Sequence, residues 1–301
     1  MESVLPGGRG RVRTLFLQSV SLCFTIAFHS LYLQLPGLYG EHGVLPARTV
    51  INEKILKSSS TAHLLSSSPS LLWLSPLLGP SLPLTALMEL LALAGTLLSL
   101  VITLLPSYNI KMTTFLLWLL YLSLFQAGQT FLHFQWDILL LETGLLAILA
   151  SPVSPGQHKT GLAQDGITLW LVRWLLFRMM FASGVVKLTS GCEAWWGLTA
   201  MPTHYFSQCL PSPLAWHAAT LLPDWMHKLS VLSTFIIEIP LTFLFFAPSA
   251  ALRKLTFCCQ IFLMVVIMLT GNYNFFNLLY IGLCLSLADD SWITSSCVSL
   301  Y

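Results

Sequence analysis

Residues 169–188 read Leu169-Trp-Leu-Val-Arg-Trp-Leu-Leu-Phe-Arg-Met-Met-Phe-Ala-Ser-Gly-Val-Val-Lys-Leu188. A helix needs about 20 mostly apolar residues to cross a bilayer, and this run has that length. It also carries Arg173, Arg178 and Lys187, cations that cost roughly 2.5–3.5 kcal/mol each at mid-membrane on insertion scales. The surrounding chain makes water an unsuitable solvent for it. Of 301 residues, 55% are hydrophobic and 9% charged, against about 25% charged in soluble domains. Mean hydropathy is +0.77. These values exclude a soluble enzyme, a disordered segment and a disulfide-stapled miniprotein. A net charge of +2 offers no basic face for nucleic acid.

The same length criterion picks out Thr14–Leu35, Leu84–Leu105, Thr113–Phe131, Asp137–Ala150, Leu229–Ala247, Leu255–Thr270 and Phe275–Ala288. With the first run these make about eight spans, in a range of six to ten. Lipid leaves no partner for open backbone, and unalternating runs of this length do not suit a barrel. The expected fold is an all-α polytopic transmembrane helix bundle. Arg9, Arg11 and Arg13 precede the first run and no clean cleavage site follows it, as in an uncleaved signal anchor. The positive-inside rule then puts residues 1–13 in the cytosol as a tail, together with Lys111, Lys159, Arg253 and Lys254. Residues 14–290 form the transmembrane domain. Loops of about 36–83 and 189–228 face the opposite, lumenal side with Arg48, Lys54, Lys57 and Lys228, and 291–301 is a divergent tail.

The ionisable residues inside the runs are Asp137 and Glu142 in the fourth, Arg173, Arg178 and Lys187 in the fifth and Glu238 in the sixth. Two carboxylates followed by three cations predict pairing between adjacent helices. Five-residue spacing leaves the members of each pair ~140° apart, so both cannot face one partner. Structural ion pairs are one reading of these groups. The other is a polar cavity in which a desolvated Lys187 acts as a base. Asn272, Asn274 and Asn277, in the stretch Gly-Asn-Tyr-Asn-Phe-Phe-Asn, either tie helices together or hold a ligand.

Loop 189–228 holds Trp195, Trp196, Trp216 and Trp225, with His204 and Tyr205. Trp favours the membrane interface, which places this loop along the surface and makes these six residues candidates for binding another protein. Cys192 and Cys209 share the loop and are a possible disulfide in an oxidising lumen. Cys258 and Cys259, beside Arg253 and Lys254, are either acylated or packed. The seven cysteines make no Cys-x-x-Cys pattern, and no zinc, nucleotide or phosphate-loop motif occurs, so no metal and no cofactor is expected.

Several segments share a pattern: Leu35-Pro-Gly-Leu-Tyr-Gly40, Gly43-Val-Leu-Pro-Ala47, Phe134-Gln-Trp-Asp-Ile-Leu-Leu-Leu-Glu-Thr-Gly144 and Leu171–Ser190 with Cys192 and Trp195-Trp-Gly-Leu-Thr199. Others are His204-Tyr205, Gln208-Cys-Leu-Pro211, Leu222-Pro-Asp-Trp-Met-His-Lys228, Glu238 and Thr270-Gly-Asn-Tyr-Asn-Phe-Phe-Asn277. Together they resemble the lipase maturation factor family, from about residue 14 to 290. The resemblance implies a multipass endoplasmic-reticulum membrane protein that assists folding, maturation and export of client lipases such as lipoprotein lipase. It also implies a large polar C-terminal domain, with the matching sequence expected to stop near Asp289-Asp290. One departure is local: Thr203-His-Tyr-Phe-Ser-Gln208 stands where the family pattern is Tyr-His-Tyr-Glu-Thr-Gln.

Ala182–Leu188 is also similar to the Ala-Gly-Val-Lys-Lys-Leu segment of vitamin K-dependent gamma-glutamyl carboxylase, in which the second lysine is the base. That lysine falls at Lys187, while Val186 stands where the first would be. The two function classes carried forward are therefore a non-enzymatic membrane factor that binds lipases and the bilayer, and a membrane enzyme using Lys187 as base on a lipid-soluble substrate. A transporter would show inverted repeats and broken helices, and the sequence shows neither.

Overall fold

A computed structural model describes residues 10–57, 63, 66, 68–73, 83–157, 161–208, 210 and 212–293. Lys159, Cys209 and most of the Ser-rich stretch after residue 57 lie outside them. The described residues are helical throughout their ordered elements, as the apolar runs require. The helices are α1 (Gly10–Tyr39), α2 (Ala47–Lys57), α3 (Leu84–Leu104), α4 (Lys111–Ala127), α5 (Gln135–Ala150), α6 (Asp165–Thr189), α7 (Ala200–Phe206), α8 (Pro213–Leu221), α9 (Asp224–Glu238), α10 (Ala250–Thr270) and α11 (Phe276–Cys284). Single turns at Gln129–Leu132, Glu193–Trp196 and Pro240–Phe243 join them.

All eight apolar runs form helices, but among the described residues five segments are long and apolar enough to cross a membrane: Gly10–Tyr39, Leu84–Leu104, Asp165–Thr189, Asp224–Phe246 and Ala250–Thr270. The other three fall short on length. Gly128 stops α4 after 17 residues, α5 has 16, and α11 gives way to a tighter turn that ends at Leu287. Other boundaries also shift. Helix α1 runs through Pro36 to Tyr39, because the missing proline N–H removes one bond of the ladder while the turns on either side keep theirs. Residues 47–57, expected as loop, form a helix. Helix α9 starts at Asp224, just after Pro223, a residue whose fixed φ suits a helix entry, so 224–228 belongs to the helix and not to the loop.

The chain divides into two compact units, Leu17–Leu162 and Met1–Phe16 with Ala163–Tyr301. In the first, α4 packs against α3 and α5. Its centre is aromatic, with Tyr121 edge to face against Phe24 at 5.6 Å and Phe28 at 5.2 Å. Buried Asn109 donates to the Leu17 carbonyl (3.1 Å) and Ser21 Oγ (2.9 Å) and accepts from Thr114 Oγ1 (2.9 Å). In the second unit α6, α9, α10 and α11 pack together, and the start of α1 is clamped into it. Arg13 Nη1 donates to both oxygens of Asp165 at 2.9 and 2.7 Å, with side-chain exposures of 0% and 4%. The sequence reading had Arg13 as a flanking charge of the cytosolic tail; here it is a buried ion. Asp290 accepts from the backbone N–H groups of Arg11 (3.1 Å) and Val12 (2.9 Å) at the first turn of α1.

Candidate functional site

Within the second unit, the last turn of α6 meets the last residue of α9. Helix α9 breaks at Ile239, ahead of Pro240, a residue that can neither donate to the helix ladder nor clear the preceding turn. Glu238 is thereby left at the helix end, buried. The approach is close because α6 carries Gly184 there: a Cβ at that position would stand 2.5 Å from Ile239 Cγ1 and 3.0 Å from Glu238 Cβ. Lys187 Nζ donates to both Glu238 oxygens at 2.8 and 2.7 Å. It also reaches Ser183 Oγ at 2.8 Å, one turn back along the same face. The Trp195 ring lies 5.3 Å from the ammonium, within cation–π range, and is itself held edge-on against Phe235. Lys187 thus takes its carboxylate from α9 and not from the helix preceding its own.

A second polar group surrounds His204 on α7. Its ring lies parallel to that of Tyr273 at 6.0 Å, and Tyr273 Oη is 3.3 Å from His204 Nδ1. Gln208 Nε2 donates to the His204 carbonyl at 2.8 Å, and its Oε1 accepts from the Asn272 backbone N–H at 3.1 Å. Burial, and after it the Lys187 ammonium, hold the His204 pKa below the ordinary histidine value, so its neutral form is favoured. Asn274 adopts φ +54°, a left-handed conformation that asparagine tolerates better than most residues. Asn277 is buried at the start of α11, whereas Asn272 and Asn274 are exposed. Gln260 donates to the Ile237 carbonyl at 3.0 Å and so ties α10 to the residue before Glu238.

The other expected site residues scatter. Asp137 is buried in the first unit and accepts from Tyr121 Oη at 2.6 Å; Glu142 is half-buried on the same helix. Arg173 donates to the Ser286 carbonyl through Nε (3.2 Å) and Nη2 (2.5 Å), and Arg178 is exposed. Trp196, Trp216 and Trp225 are exposed at 64, 57 and 63%. Tyr205 is turned inward against the ring of His227. Cys192 is exposed, and the structure gives no geometry for the Cys192–Cys209 disulfide because Cys209 lies outside the described residues. Ser183, Gln260 and the Arg13–Asp165 pair escaped the sequence reading. A glutamine in an otherwise apolar run was the one signal available for Gln260.

The Lipase maturation factor transmembrane domain matches residues 11–295. Lipase maturation factor 2 of Xenopus laevis is 51% identical over 283 residues, which is 93% of this chain and 39% of the relative. The Homo sapiens protein of that name is 50% identical over 94% of the chain and 40% of its own length. Lipase maturation factor 1 of Mus musculus is 31% identical over 93% of the chain and 48% of the relative. These relatives are named for maturation and not for a catalysed reaction. No solved structure matches the chain. The chain thus spans about two fifths of the length of the more similar relatives. Over nearly all of its residues, including the α6–α9 contact and the 189–228 segment, it belongs to the lipase maturation factor family.

Proposed function

We propose that the chain is an endoplasmic-reticulum membrane factor that assists folding and export of secreted lipases of the lipoprotein lipase kind, without catalysing a reaction itself. The observation that carries this reading is the family match over residues 11–295. The exposed Trp196, Trp216 and Trp225 add to it. Large rigid rings left open on a single turn (Trp196), a short helix (Trp216) and the first turn of α9 (Trp225) are suited to hold the apolar surface of an incompletely folded client. Lys187 speaks for a structural role. Its contacts to two carboxylate oxygens, a hydroxyl, a backbone carbonyl and an indole face suit an ammonium, whereas a base must present a lone pair to its substrate.

The test is secreted lipoprotein lipase activity from cells lacking their own maturation factors, with this chain reintroduced at measured abundance. The expected result is rescue by the wild-type chain and a several-fold loss on changing Trp196, Trp216 and Trp225 together to Ala, at unchanged abundance. Removing both ends of the ion pair, Lys187→Met with Glu238→Leu, should lower activity only in proportion to abundance. Loss of activity by an abundant, folded Lys187→Met/Glu238→Leu chain would favour the enzyme reading. No rescue by abundant wild-type chain would overturn the idea that this span acts alone.

A further inference from the structure

A cavity of about 380 Å³ opens where α10 begins, and Ala250, Ala251, Lys254, Asp289, Ser291 and Trp292 are among its lining residues. We propose that it holds the phosphate of an anionic phospholipid headgroup. Among the described residues that line it, Lys254 is the cation. The Lys254 ammonium sits 5.1 Å from the Trp292 ring, a contact that positions the charge without neutralising it. The cavity's one carboxylate is already matched: Arg253 Nη2 lies 2.6 Å from Asp289 Oδ2. Arg253 is fixed in turn by donating to the carbonyls of Ala247 (3.0 Å) and Pro248 (2.9 Å). The neighbouring Asp290 is engaged at the first turn of α1. Among the described lining residues, Lys254 is thus the charge left over once Asp289 is matched by Arg253.

The walls are built rather than incidental. Trp292 packs edge-on against Phe257 at 4.9 Å and rests on the buried cluster of Val12, Leu169 and Ala288. The ring that carries Lys254 is thus immobilised from two sides. The Ser291 hydroxyl adds a donor suited to a phosphate oxygen.

The position selects a lipid over a free ion. Helix α10 is one of the helices long and apolar enough to cross a membrane, and its first turn forms the cavity wall, so the opening lies at the depth of headgroups. Cations beside a membrane span at this depth attract anionic lipid, and indole rings favour the same zone. Ala250, Ala251 and Leu287 give an apolar side for glycerol and the upper acyl chain, which inorganic phosphate does not need.

The experiment is native mass spectrometry of the full chain in detergent, titrated with palmitoyl-oleoyl phosphatidylserine, with phosphatidylcholine of the same chains, and with inorganic phosphate. The expected result is a phosphatidylserine adduct stronger than the phosphatidylcholine one. Lys254→Gln should weaken it about fivefold, as losing one lysine at a membrane surface implies, without changing the phosphatidylcholine adduct. Arg48→Gln, at an exposed cation of the other unit, should leave both as they are. If Lys254→Gln does not fold, Ala251→Asp places a carboxylate at an exposed wall position and should abolish the phosphatidylserine preference. Equal adducts for the two lipids, or a phosphatidylserine adduct indifferent to Lys254→Gln or Ala251→Asp, would overturn the site. Displacement of the lipid by inorganic phosphate at equal concentration would overturn the lipid assignment and leave a free-phosphate site.

Discussion

The two units of this chain bury polar groups in different ways. The unit of residues 1–16 and 163–301 relies on ions: Arg13 with Asp165, Lys187 with Glu238 and Arg253 with Asp289. Among the described residues, the 17–162 unit ties its buried polar groups mainly through hydroxyl, amide and phenol donors and through close contact, and its Arg48–Glu41 ion pair is exposed. Asn109, Ser21, Thr114 and Ser151 form a chain of hydroxyl and amide bonds, Tyr121 donates to Asp137, and glycines let rings press against helices. The difference matters because an ion pair in a low-dielectric interior depends on both partners. Removing one leaves a buried charge, whereas removing one member of a neutral chain leaves an unmet donor or acceptor. The ion-paired unit should therefore be the more fragile towards single substitutions and the more tolerant of paired ones.

Arg13 is the sharpest place to test this. Arg13→Ala takes the guanidinium away from Asp165 in a site that is 4% exposed, and the expected cost is about 3–5 kcal/mol. Arg13→Met with Asp165→Leu removes both charges and should recover most of it. Thermal unfolding of detergent-purified chains, followed by size-exclusion recovery, measures both. A double variant as unstable as the single one would show that the pair acts through shape or through its other contacts. The comparison between units would then lose its electrostatic basis.

The fold was largely legible because length and apolarity decide membrane helices, and residues 169–188 alone state the case. One kind of misreading falls where a polar residue is buried. Arg13 and Asp165 look like flanks to any hydropathy reading, since nothing local says that they meet 152 positions apart in sequence. Helix Ala47–Lys57 was missed because its residues are polar enough to pass as loop. The candidate site was legible in its parts and not in its pairing. Lys187 and Glu238 each stand out in an apolar run, but which carboxylate meets which cation depends on helix packing, and that is set by Gly184 and the break at Ile239. Ser183 had no signal, as serine is ordinary in membrane helices.

The neutral unit has its own weak point in Gly95. A Cβ there would collide with the Phe28 ring, and Phe28 is fully buried, so the ring has nowhere to swing. Gly95→Ala should cost about 1–3 kcal/mol by overpacking, seen as a lowered melting temperature. Phe28→Leu in the same chain should restore part of it by making room. A Gly95→Ala chain as stable as wild type would mean that the aromatic centre yields more than its burial implies, and that close packing is not what holds this unit.

The smallest effect expected is at Asn109. It is 1% exposed and makes three side-chain bonds, which in water-soluble terms would rank it beside the ion pairs. Bonds between helices in membranes average only about 0.6 kcal/mol, because chains unfolded in lipid find other partners. Ser21 Oγ and Thr114 Oγ1 also keep bonds to the carbonyls of Leu17 and Ile110 when Asn109 is gone. Asn109→Ala should therefore cost about 1 kcal/mol, a fraction of the Arg13→Ala effect. Equal losses from the two substitutions would mean that a neutral network is as exacting as a buried ion pair, and that the two units do not differ in the way their bonds suggest.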